Sequence, residues 1–170
     1  MAATIDIQEF NGVSPGTPTS KTSGTIRFKA ADDANVDLNN PIVRPGSGST
    51  FSYEKALRLF MTTAPTGSIT NPRAFSDGAN GFGTGVTMEA GVTGTYAQPV
   101  ITDSTRATVD LFSYTSGSPL AMDANNPGPY LPALVGNNFA DFLYLQAEVA
   151  STASPGLTPS ETLTIAYDET

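Results

Sequence analysis

Sixteen Asp and Glu residues are present, but no His and no Cys, so carboxylates are the main catalytic resource of this chain. A Ser-His-Asp nucleophile needs an imidazole to accept its proton, a Cys-His site needs a thiol, and the usual zinc sites draw on both. All of these are excluded. Paired carboxylates would act as acid and base if the fold brought two together, yet no spacing in the sequence pairs any of them. They read as solvated faces and loop caps. The expectation is no enzyme, with no catalytic residue and no cofactor.

The best cation-binding candidate is DDANVDLNN, where Asp33, Asn35 and Asp37 match the first three ligand positions of a calcium loop. The match then fails, because Leu38 stands where that loop needs Gly and Arg44 where it needs a bidentate Glu. Read as a strand, the same spacing puts the three polar residues on a wet face and points Val36 and Leu38 inward; no metal is expected. FSDGANGFGTGV carries Gly78, Gly81, Gly83 and Gly85 but lacks both the Lys-Ser/Thr of a phosphate loop and the following helix of a dinucleotide fingerprint. It reads as a flexible connection. Tyr53, Tyr96, Tyr114 and Tyr130 are of a type that stacks on sugars, but there is no Trp, and tyrosine commonly sits half-buried with its hydroxyl bonded.

Elements that would position these residues are legible as period-two alternation: Ile5 and Ile7; Ile26 and Phe28; Leu57, Leu59 and Met61; Ala107, Val109 and Leu111; Leu143 to Val149; Leu163, Ile165 and Tyr167. Alternation of this kind predicts strands with one wet face. The strand containing Leu57 is expected to start at about residue 55. Leu59, Val109, Leu145 and Ile165 are expected in the core, so Val109→Asp is expected to abolish folding. No window makes a convincing helix. Pro, Gly and Asn mark loops at 14–24, 39–50, 75–85 and 123–138. Short strands with such turns between them predict an all-β fold, a two-sheet antiparallel sandwich of jelly-roll type with long Pro/Gly-rich loops, in a single domain over 1–170 with an extended N-terminal segment over about 1–24.

Charge narrows the partners. With a net charge of −8, binding to a phosphate backbone or an anionic membrane surface is disfavoured, so neither nucleic acid nor membrane is expected. The start MAATIDIQEF is neither basic nor apolar, and no segment approaches the ~20 apolar residues of a helical span, so a soluble chain without Sec export is expected. The long loop NNPGPYLPALVGNN combines three prolines with Tyr130, Leu131, Leu134 and Val135. Such a loop either covers the core or is offered to a partner, and its prolines reduce the entropy cost of one shape.

One segment carries a resemblance. Leu57-Arg58-Leu59-Phe60, followed by Thr62 to Asn71 with its Pro-Thr-Gly turn and Ile-Thr-Asn step, then Arg73 to Phe75, resembles a segment of tailed-bacteriophage virion proteins. MAATIDIQEF and GTIRFKAADDANVDLNNPIV are similar to the start of such proteins, and the likeness spans roughly residues 1 to 90. It implies a capsid decoration (cement) protein, jelly-roll in fold and often trimeric, that binds the major capsid protein on the outer surface of the virion. The interface expected on that reading is Pro127, Pro129, Tyr130, Leu131 and Leu134, with Phe10 from a mobile N-terminal segment. Two other classes stay open: a phage tail, baseplate or fibre module that binds a host surface, and a carbohydrate-binding β-sandwich.

Overall fold

Most of the apolar alternation becomes antiparallel strand pairing. The computed structural model describes residues 2–170, and among these it contains ten strands and two single-turn 3₁₀ segments. The larger sheet is built around β9 (Asn138–Ala150), flanked by β4 (Lys55–Thr63) and β6 (Val86–Thr93). Outside β4 lie β1 (Thr4–Phe10) and then β2 (Thr19–Ser20), while β7 (Val109–Asp110) closes the β6 side. A short strand, β3 (Ser49–Phe51), pairs with the far end of β9, so β3 and β4 lie in succession along the same side of that long strand. The smaller sheet runs β10 (Thr164–Glu169), β5 (Ile69–Phe75), β8 (Leu120–Ala121). This is the expected all-β sandwich, with sheets of unequal size. β4 starts at Lys55, as its alternation requires, and the turn after it carries the chain from the larger sheet to β5 in the smaller one.

Packing follows the inward-facing residues. Leu57, Leu59 and Met61 of β4, Met88 and Ala90 of β6, and Leu143, Leu145 and Ala147 of β9 meet Ile69 and Ala74 of β5 and the fully buried Met122. Each fully buried large side chain contributes about 1.5 to 3 kcal/mol, so this inter-sheet layer carries most of the fold's stability. The other face of the larger sheet is also covered. Phe10, Ala56, Phe142 and Tyr144 form a second cluster with Ala107, beneath the irregular segment 94–108, which crosses that face as a strap.

Several expectations are corrected here. Leu59 and Leu145 are core and Ile165 packs half-buried against it, but Val109 is 42% exposed. Its strand is only two residues long, because the Asp110 carboxylate accepts from the Phe112 amide and starts a 3₁₀ turn that buries Leu111 and Phe112 instead. The alternation through 107–111 therefore has no continuous strand beneath it. Accordingly, Val109→Ser is expected to shift unfolding free energy by no more than about 0.5 kcal/mol in urea titration, the range of ordinary surface changes. A loss of several kcal/mol would show that Val109 packs. Ile26 and Phe28 lie in no strand, yet both rest against the core. The expected extended N-terminal segment is instead folded in: β1 pairs with β4 along its whole length, and Lys21 N–H donates to the Ile7 carbonyl at 2.7 Å.

Candidate interaction surface

The most elaborate local construction begins with a bulge in β9. Leu57 faces Leu143 and Leu59 faces Phe139, so β9 has two more residues than β4 between these pairs, and Ala140 takes φ 62° to accommodate them. Bulges re-aim side chains, and this one turns Asp141 out of the ladder. Its own amide donates to the Met122 carbonyl at 2.7 Å, and Arg58 closes the bulge by donating from Nε to the Ala140 carbonyl at 3.0 Å. The Arg58 guanidinium lies 4.6 Å from the Phe142 ring centre. The Asp141 carboxylate, 0% exposed, then accepts four hydrogen bonds from one dipeptide: Asn125 N and Nδ2, and Asn126 N and Nδ2, at 2.8 to 3.0 Å.

That carboxylate is the base of the loop expected to meet a partner. Above it, the Tyr130 hydroxyl donates to the Asn126 carbonyl, its ring packs 4.8 Å from Phe139, and its backbone exchanges two hydrogen bonds with Ile69. Burial raises the Tyr130 pKa, with Asp123 and Asp141 adding to the shift, so the phenol stays protonated and keeps donating. Tyr130 is therefore a pin that fixes the loop from below. Phe10 is likewise buried, edge-on to Phe142 at 5.4 Å. Neither ring is free to touch a partner, because each is spent on the interior of its own chain. Leu134 is half-buried on the core, and the apolar residues left exposed include Pro127, Pro129, Leu131, Ala133 and Val135.

The calcium-like residues hold a cation of the protein's own. Asp33 and Asp37 both pair with Lys29 Nζ, at 2.7 and 3.1 Å, and Lys29 is 2% exposed. Their backbone is a bent loop rather than a strand, so Val36 and Leu38 are exposed and do not point inward as expected. Two further lysines tie the loop down: Lys55 donates to the Asp33 carbonyl and Lys21 to the Ala34 carbonyl, both at 2.6 Å. Glu9 is shared by this pair and balances one of its two charges, 2.9 Å from Lys55 and 3.4 Å from Lys21. Burial works to raise the Asp33 pKa, but the Lys29 ammonium and the Asn35 amide outweigh it and leave it lowered; Lys29 and the Asn39 amide lower that of Asp37. A carboxylate depressed in the folded state contributes stability that is complete above its unfolded value near pH 4 and fades as pH falls below it. Amide exchange in residues 30–40 should therefore quicken relative to the sheets as pH drops below about 4. Unchanged relative protection would remove the two aspartates from the clamp.

The strap is fastened by polar side chains reaching up from the larger sheet. Tyr144 Oη bonds both to Ala97 N and to the Ala97 carbonyl at 2.7 Å. Gln146, almost fully buried, donates to the Ser52 and Thr102 carbonyls and accepts from Ser104 N, each at 2.9 Å. Glu54 accepts from Val100 N at 3.0 Å, from Ser104 Oγ and from the Arg106 guanidinium. The Gly-rich connection is filled locally: Asn80 bonds to the Val86 carbonyl and the Phe82 amide, and the Phe82 ring meets Phe112 edge-on at 5.9 Å. Of the four tyrosines, Tyr96 is half-buried with its hydroxyl on the Gly12 carbonyl at 2.6 Å, Tyr130 is buried, and Tyr53 and Tyr114 are half-buried.

Asp141, Glu9 and the strap were missed in the sequence reading. A charged residue inside the apolar run NFADFLYL was the available signal for Asp141, since an acid there must either break the alternation or find donors. Comparison of the chain with protein-family models, with curated proteins and with solved structures finds no match.

Proposed function

We propose that the chain is a structural virion protein, a decoration protein on the outer shell of a phage head, whose loop 127–135 docks on the major capsid protein. The observation that carries this reading is the mounting of that loop. Pro127, Pro129, Leu131 and Val135 are exposed on a segment held from beneath by Asp141 and Tyr130. Apolar residues presented by a pre-ordered loop lose little entropy on docking, which is how a small patch gains affinity. Many copies on a lattice would add avidity to modest single contacts. The absence of His and Cys agrees with a particle that meets changing pH and redox conditions, since no side chain has an ordinary pKa near neutrality and no thiol can oxidise. A trimer belongs to the same proposal through the resemblance.

The test is the copy number of the chain in purified particles of the virus that encodes it, together with binding of added protein to undecorated heads. Head-shell stoichiometry, with binding reduced by Leu131→Asp and Val135→Asp at unchanged melting temperature, supports the reading. A handful of copies per particle supports the tail or baseplate reading instead. Capture by a polysaccharide but not by heads supports the carbohydrate module.

A further inference from the structure

We infer that the chain carries a second docking surface, an apolar hollow with an acidic border, built to receive a basic segment of another protein in which apolar and Lys/Arg residues alternate. This goes beyond the decoration reading and does not depend on it. The hollow, of about 470 Å³, lies where β3, the loop around Ile42 and the crest of the strap come together. Val43 and Ile101 line it at 72% and 39% exposure, with Phe51 and Ile42 half-buried alongside. Two large aliphatic residues held open to water around one depression are an unspent binding surface.

Charge decides the occupant. Asp103 lines the hollow, and Glu148 stands opposite Phe51 in the β3–β9 register, on the same face. Next along that face Glu89 stands opposite Gln146 and Asp110. Burial and the charges of Asp103, Glu148 and Asp110 raise the Glu89 pKa, as expected where carboxylates crowd without a counter-ion. None of these four has a salt-bridge partner among the described residues. The protein's own cations are occupied elsewhere: Lys21, Lys29 and Lys55 in the loop clamp, Arg106 on Glu54, Arg73 on Asp168, Arg58 on the β9 bulge and Arg27 on the Val36 carbonyl. Arg44, next to Val43 in sequence, directs its guanidinium to the Ala153 carbonyl. The carboxylates are spread along the sheet, and no group of three or more among the described residues is placed to hold a metal ion. Spaced negative charges beside an apolar depression match spaced positive charges flanking apolar side chains, and such complementarity sets partner choice. A second copy of this chain would bring the same acidic border and be repelled.

The experiment uses the purified full chain and two short fluorescent peptides, one alternating Lys with Val and one alternating Glu with Val. Anisotropy should show the Lys peptide binding about tenfold or more tightly, with affinity falling as salt rises. Val43→Asn and Ile101→Asn should each weaken it about tenfold, the loss of one apolar anchor. Val13→Asn, at an exposed residue outside the hollow's lining, should leave it unchanged, and amide protection should appear at residues 42–51 and 101–103. Equal binding of the two peptides, or Lys-peptide binding that survives both hollow substitutions in folded protein, overturns the inference. Self-association abolished by those same substitutions also overturns it, since the hollow would then belong to a second copy. Heads and virions play no part, so this outcome and that of the decoration test are independent.

Discussion

Glu9→Gln is expected to lower the unfolding free energy by about 3 to 5 kcal/mol, the cost of removing one partner from a buried ion pair. Glu9 and Lys55 are 1% exposed and Lys21 is 7% exposed, so the amide would leave two ammonium groups out of water beside a neutral side chain. The Asp33 and Ala34 carbonyls would still accept hydrogen bonds from them, but carbonyl dipoles do not balance two charges. Urea denaturation measures the loss. Glu9→Gln with Lys55→Met should recover part of it, because the double variant buries one charge fewer. If Glu9→Gln alone costs less than about 1 kcal/mol, water reaches this cluster and the pair is a surface one in energetic terms.

Asp141→Ala is the second large effect, and it bears on function as well as stability. A hydrogen bond to a charged acceptor contributes about 1.5 to 3 kcal/mol, and contributions of neighbouring bonds do not simply add. With four such bonds on one buried carboxylate, a loss of at least about 3 kcal/mol is expected. The Asn125 and Asn126 donors would be left without their acceptor, and the segment that carries Pro127, Pro129 and Leu131 would lose its base. Amide exchange should therefore rise first at residues 124–135, and binding to heads should fall even at temperatures where the sheets remain intact. Unchanged protection there would mean that Tyr130 and its pairing with Ile69 hold the loop without Asp141. Tyr130→Ala would not separate docking from folding, because its ring is buried.

Strand identity was local information, since period-two alternation at Leu57, Leu59 and Met61 or at Leu143 and Leu145 needs only the chain itself to read. The same local reasoning failed at Val109, where one capping hydrogen bond from Asp110 ends the strand, and at Val36 and Leu38, which were assigned to a strand that does not form. Composition alone established that there is no imidazole or thiol chemistry and that the net charge is −8. Everything that pairs distant residues was decided by tertiary structure. Glu9 meets Lys55 only because β1 lies against β4, and Asp33 and Asp37 meet Lys29 only because their loop bends back over that lysine. Asp141 meets Asn125 and Asn126 only because a two-residue bulge turns it out of β9. Patterns of side-chain polarity report which face of an element is dry, whereas the partner of a buried charge is fixed by register and crossover, which join residues the chain keeps far apart.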